Sequence, residues 1–211
     1  MSKRAENKSQ RTAHIISVAE RLFLERAIHE VQMQEIADAC GIGIATLFRY
    51  FPKKELLVVQ VAQKIILEMR DEMKIITEQP VTAYEMVEQI LDYFIDFTTS
   101  SKVKLAHFHD SVDIYAKLSS ELDVFSQDYI DSQTEFAKTL KTVVEIGIND
   151  GSIRPDIEID LTMQAIFNNF SIYVIHSSVR NNLPRMRSQF SGTEEQQKLK
   201  EIFLQFIKPQ K

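Results

Sequence analysis

The sequence predicts an all-α fold, with an N-terminal three-helix head of helix-turn-helix type followed by a larger helical bundle. Three observations carry that expectation. Only five Gly and five Pro occur in 211 residues, about 5% against roughly 12% in average usage. A β-sandwich or barrel of this length uses more of both in its turns, and an α/β nucleotide-binding fold needs a glycine-rich phosphate loop, which is absent. Second, the breakers cluster at Gly41, Gly43 and Pro52, at Pro80, at Gly147, Gly151 and Pro155, at Pro184 and Gly192, and at Pro209. Between them apolar residues recur at three- and four-residue steps, the helical period. Third, the charge is divided. The whole chain carries −5, yet residues 1–54 hold nine Lys/Arg against six Asp/Glu, and residues 55–211 hold sixteen against twenty-four. A basic head on an acidic body points to two functions on one chain.

Composition narrows the class further. The apolar fraction of 44% supports a real core. Cys40 is the single cysteine, so an intrachain disulfide and a thiolate zinc site are both excluded. The first eleven residues are polar and no apolar run reaches about 18 residues, which leads us to expect a cytoplasmic protein that does not cross a membrane. No nucleophile motif, phosphate loop or metal-ligand run is present. The expectation is therefore a non-enzyme with no cofactor and no metal.

The elements follow in order. The first helix is expected over about 8–25, where Ile15, Ile16, Ala19, Leu22 and Phe23 form one apolar face. Two short segments follow, at about 33–39 and 44–50. Pro52 suits the first turn of a new helix, which extends to about Thr77 through Leu56, Leu57, Val61, Ile65, Met69, Met73 and Ile76. Further helices are expected at 82–98, 102–118, 121–148, 157–180 and 193–207. The charge division and Pro52 place the domain boundary between residues 54 and 55.

The segment 32–51 is the informative one. Two helices of about two turns are joined by a tight turn containing Gly, the layout of a helix-turn-helix. Ala37 is small where the helices cross, Gly41 can take the left-handed conformation that ends the first, and Ile42, Leu47 and Phe51 can fill the space against helix one. The second helix of such a motif lies in the DNA major groove.

On these residues the sequence resembles the tetracycline-repressor (TetR) family of bacterial regulators. The motifs are Ala19-x-x-Leu22-Phe23, Ile36-Ala37-x-x-x-Gly41-Ile42 and Thr46-Leu47-Phe48-x-Tyr50-Phe51-x-x-Lys54-Glu55-x-Leu57. The stretch 147–154 resembles a turn found late in family members. The resemblance implies a homodimer that binds a palindromic double-stranded DNA operator as a repressor and is released by a small-molecule effector. It also implies DNA contacts at Gly43, Ile44, Ala45, Thr46, Phe48, Arg49, Tyr50 and Lys54. Arg49 would reach guanine or a phosphate, Thr46 and Tyr50 would bind phosphates, Ala45 would permit close approach, and Lys54 would add its charge at the start of the next helix. The sequence departs from the family pattern at several points. Gly43 stands for a capping Ser or Thr, Phe48 for a tyrosine, Gln32 for a Ser or Thr, and Ala27 for a Gly. Ile44 and Phe48 have two readings: with Leu47 and Phe51 they form one apolar stripe, a core pattern, whereas the resemblance puts them on DNA.

Beyond Thr77 the expected helices are rich in aromatics, and pockets between helices are apolar with a few polar groups. The ligand candidates are Phe94, His107, Phe108, Tyr115, Tyr129, Asn168 and His176. The dimer candidates lie on the last two helices, at Phe167, Phe170 and Val174 and at Ile202, Phe203 and Phe206, where paired stripes could build a four-helix bundle with a twofold copy. His107 and His109 are two apart and point to different helix faces, which disfavours a metal there. The alternatives are a helical small-molecule-binding protein or enzyme with a head that does not bind DNA, and a protein–protein adaptor.

Overall fold

Helix α1 runs from Lys3 to Glu25, beginning five residues earlier than expected. Residues 3–11 are all exposed, so no burial pattern announces them. Their composition (Lys, Arg, Ala, Glu, Gln) favours helix intrinsically. In the computed structural model, which describes residues 3–99, 102–105, 107–108, 111–112, 127–166, 169 and 192–210, the later elements are all helical. They are α2 (Met33–Ala39), α3 (Ile44–Tyr50), α4 (Lys54–Thr77), α5 (Ala83–Thr99), helical residues at 103–105, 107–108 and 111–112 (α6), α7 (Gln127–Asp150), helical residues 159–166 (α8) and α9 (Gly192–Ile207). No strand occurs among the described residues, in agreement with the scarcity of turn residues.

The chain forms two compact units. One spans residues 1–66 and 108–133, the other 67–107 and 134–211. Composition placed the boundary at 54/55, but the division falls within α4. The cause is burial: Leu57, Val58, Val61 and Ile65 are at most 1% exposed, so the first three turns of α4 belong to the core of the head. That core also holds Ile15, Ala19, Phe23, Ile36, Ala37, Leu47 and Phe51. Lys64 of α4 pairs with Glu20 of α1 at 2.8 Å.

In the second unit α5 packs along α9. Met86, Val87, Ile90 and Leu91 of α5 and Leu204 and Ile207 of α9 join one buried cluster with Leu140, Val143 and Val144 of α7. Lys200, 8% exposed, reaches across to Asp92 at 2.7 Å and Glu88 at 3.1 Å. A buried cation needs such partners, and their loss costs more than the pair contributes.

The turn at 147–154 organises the two ends of that pair. Gly151 takes φ +78°, and the Ile153 amide returns to the Gly147 carbonyl at 2.8 Å. The turn's side chains then cap the start of α5. Asp150 accepts the Ala83 amide (3.4 Å), and the Ser152 hydroxyl accepts the Tyr84 amide (3.2 Å). These are free donors of a helix N-terminus, which need acceptors from outside the helix. Thr82 and Glu85 complete the cap reciprocally, with the Thr82 amide donating to Glu85 at 2.8 Å and the Glu85 amide to the Thr82 hydroxyl at 3.3 Å. On the far side, the Arg154 amide donates to the Ile207 carbonyl at 2.9 Å, at the end of α9.

Candidate nucleic-acid interface

The interface is built on α2, its turn and α3. Gln32 opens α2, and its amide donates to the Glu35 carboxylate at 2.8 Å, the backbone half of a capping box. Glu35 also pairs with Arg26 at 3.0 Å. The Gln32 amide foremost, and Arg26 after it, hold the Glu35 carboxyl below the usual range. Thus Glu35 caps the start of α2, although Gln32 replaces the Ser or Thr of the family pattern.

Gly41 has φ +66°, a conformation costly to a residue with a Cβ. Its amide donates to the Asp38 carbonyl and the Ile42 amide to the Ala37 carbonyl, both at 3.0 Å. This is the Schellman closure of a helix. The chain then restarts at Gly43, whose extended backbone (φ −69°, ψ 147°) caps α3 without a side chain. The Thr46 and Leu47 amides bond its carbonyl at 2.8 and 3.1 Å.

The apolar stripe proposed for α3 divides. Leu47 is fully buried and Phe51 is 5% exposed, whereas Phe48 is 44% exposed. Successive helical residues differ by about 100°, so the line through 44 and 48 turns away from the line through 47 and 51. The core reading is therefore corrected for Phe48, which lies on the outside. Ile44 is half-buried. Ala45 and Arg49 are exposed, and Thr46 and Tyr50 are half-buried. Arg49 donates to the Thr46 hydroxyl at 3.3 Å, one turn away, which steadies a long side chain on an open face.

Lys54, expected at the DNA, makes a contact within the head. Its ammonium donates to the Ile28 carbonyl. That acceptor lies in the loop between α1 and α2, which offers a backbone oxygen 26 residues away. Burial pulls the Lys54 pKa down. The lysine thus ties α4 to that loop.

A cleft of about 690 Å³ opens beside α3. Arg49 and Tyr50 line one side; Arg4, Lys8, Arg11 and His14 of α1 line the other, with Asn7 and Gln10. The α1 residues were not among the candidates. Their spacing of four and three would have exposed them, had the helix been drawn to begin at Lys3.

The ligand candidates do not gather at one described site. Phe108 and Tyr129 belong to the first unit. Phe108, 3% exposed, stacks on Phe23 at 5.9 Å, and Tyr129, 2% exposed, accepts from Gln133 at its hydroxyl. Both are buried in the first unit. Phe94 and His107 are half-buried residues of the second unit. Phe94 meets Tyr93 edge-on at 5.9 Å. Tyr93 in turn sits beneath the Lys102 ammonium (4.4 Å), which pairs with Glu72 at 2.6 Å. Burial, then the bond to Glu72, pushes the Tyr93 phenol well up. Tyr115, Asn168 and His176 lie outside the described residues, as do Phe167, Phe170 and Val174 of the dimer set. Of the rest, Ile202 and Phe206 are 54% and 49% exposed. Phe203 is half-buried and packs against the buried cluster on the face of Lys200, Leu204 and Ile207. Among the described residues no cluster of His, Cys, Asp and Glu could hold a metal, and no helix is long and apolar enough to cross a membrane.

Known proteins fit this geometry. Residues 15–61 match the family model for bacterial regulatory proteins of the tetR family. The chain is 25% identical over 157 residues to the HTH-type transcriptional repressor KstR2 of Rhodococcus jostii, covering 74% of each. Its fold resembles FadR from Bacillus subtilis in complex with stearoyl-CoA (TM-score 0.69, 20% identity, 92% of this chain and 98% of that one). It also resembles a putative transcriptional regulator from Saccharomonospora viridis in complex with choline (TM-score 0.74, 18% identity, 96% and 100%). The glycine turn and the outward face of α3 both fall within residues 15–61, the segment that matches the model for tetR-family bacterial regulatory proteins.

Proposed function

We propose that the protein is a homodimeric cytoplasmic repressor that holds a palindromic operator with α3 of each head and releases it when a small molecule binds the second unit. The carrying observation is the division of α3. Leu47 and Phe51 anchor the helix in the core while Ala45, Phe48 and Arg49 stay on its open side. A helix held this way can lie in the major groove without unfolding its support. Arg49 is the candidate base reader, because a guanidinium matches the guanine acceptors bidentately. Thr46 and Tyr50 sit beside it as phosphate contacts, and Ala45 leaves room for the groove wall. Dimerisation through α9 is supported by Ile202 and Phe206, four residues apart on its exposed side. Two heads would then meet major grooves about 34 Å apart, and an effector acts by favouring a dimer with a different head separation. The reading assigns the chain no catalytic step.

The ligand class is a matter of side chains and not of the fold. Chains with the same fold carry stearoyl-CoA in one case and choline in another. The decisive experiment is a mobility shift against genomic fragments across a range of salt, with stearoyl-CoA and choline as first release probes. Specific binding should weaken steeply with salt, and Arg49→Ala should cost roughly 1–3 kcal/mol on the specific site. If no genomic fragment binds more tightly than random duplex, the repressor reading fails.

A further inference from the structure

The first three turns of α1 are peculiar for a helix start. Arg4, Lys8 and Arg11 fall four and three residues apart on one face, and that face lines the cleft shared with Arg49 and Tyr50. Two physical rules are broken there. Cations at a helix N-terminus oppose the macrodipole, and like charges one turn apart repel. Glu6 is the acidic residue of the first turn, and no acidic side chain lines the cleft. No ion pair among the described residues engages Arg4, Lys8 or Arg11. Residues 3–11 are exposed, so packing does not account for this arrangement. An anion lying along the face would reverse both penalties.

We infer that this face of α1 is a phosphate-binding track, in which Arg4, Lys8 and Arg11 hold the sugar-phosphate backbone of one DNA strand flanking the groove read by α3. The inference rests on the DNA-binding reading and deepens it, since it adds a contact surface outside the segment 15–61 that matches the family model. The spacing suits a nucleic-acid strand. Residues 4 to 11 span about 10 Å of helix at 1.5 Å per residue, and one strand of duplex carries one phosphate per 3.4 Å of axis, about three over that length. Three cations therefore meet about three phosphates. The track continues into Arg49 and Tyr50 across the same cleft, which joins sequence-independent holding to the reading helix.

The test uses the full chain and a 30-bp duplex of random sequence, because phosphate contacts need no operator. Fluorescence anisotropy gives the affinity of wild type, the triple variant Arg4→Ala/Lys8→Ala/Arg11→Ala, and the charge-preserving triple Arg4→Lys/Lys8→Arg/Arg11→Lys between about 50 and 200 mM salt. Alanine at exposed helical positions supports the helix, and circular dichroism verifies that it persists. The expected result is a slope of log affinity against log salt about 2 to 3 lower for the alanine triple, at about 0.9 per phosphate. The charge-preserving triple should keep the wild-type slope. If the alanine triple keeps a steep wild-type slope, the track is wrong while the DNA-binding reading stands. A salt-independent wild type would overturn both.

Discussion

Replacing Gly147 with alanine sets helix propensity against packing at one atom. Gly147 lies in the last turn of α7, where alanine would be favoured by about 1 kcal/mol over glycine on propensity alone. The added Cβ, however, would stand 2.5 Å from Ile153 Cδ1, 2.6 Å from Cγ1 and 3.0 Å from Cβ. Ile153 is 1% exposed and has little freedom to retreat. Its amide is bound to the Gly147 carbonyl at 2.8 Å, and the next amide, of Arg154, is bound to Ile207 at 2.9 Å. Overpacking costs about 1–3 kcal/mol, and a neighbour pinned on both sides puts this case near the top. The net expectation is a loss of about 1–2 kcal/mol, or about 2–8 °C in Tm for a chain of this size. Thermal unfolding followed by far-UV circular dichroism measures it. In an Ile153→Ala background the obstructing atoms are gone, so Gly147→Ala should become neutral or stabilising there, a coupling that a double-mutant cycle isolates. A higher Tm for Gly147→Ala in the otherwise unaltered chain would refute the close approach.

Three further outcomes follow from the head and the caps. Gly41→Ala meets nothing within 4 Å but must hold φ +66°, so it should cost about 1 kcal/mol of conformational strain, and Gly41→Asn less; urea midpoints rank the pair. Lys54→Met keeps the apolar stem but leaves the Ile28 carbonyl without its charged donor; it should lower stability by about 1 kcal/mol and leave the salt slope of DNA binding unchanged, which anisotropy would read. Glu35, Glu85 and Asp150 all have lowered carboxyl pKa values, held down first by the Gln32 amide, the Thr82 hydroxyl and the Ser152 hydroxyl respectively. Groups depressed on folding contribute above their unfolded pKa and lose that contribution as pH falls through the folded value. Stability should therefore decline below about pH 4, and Glu35→Gln should flatten that decline in urea titrations over the acid range.

The described helices and the recognition turn were legible because both are local. An apolar period needs only a dozen neighbouring residues, and Gly41 announces its left-handed turn by lacking a Cβ. Legibility failed wherever a partner was distant or absent. The start of α1 carries no apolar face, so its first five residues, Arg4 among them, were not assigned to the helix. Phe48 has an apolar side chain that suits core and surface equally; only the rotation of α3 about its Leu47 and Phe51 anchors turned it outward. Phe203 shares a stripe with Ile202 and Phe206, and only the packing of α9 showed that it is half-buried against the second unit's core while they are exposed.

What the sequence by itself determined is the helices among the described residues, the glycine turn and the division into a basic head and an acidic body, all consequences of local conformation and composition. Tertiary structure decided which of the marked residues are available. It gave the Lys54 ammonium to the Ile28 carbonyl, 26 residues back, and the start of α5 to Asp150 and Ser152, 67 and 68 residues on. Hydrogen-bond partners are chosen by distance in space, and a periodic pattern along the chain carries no record of that distance.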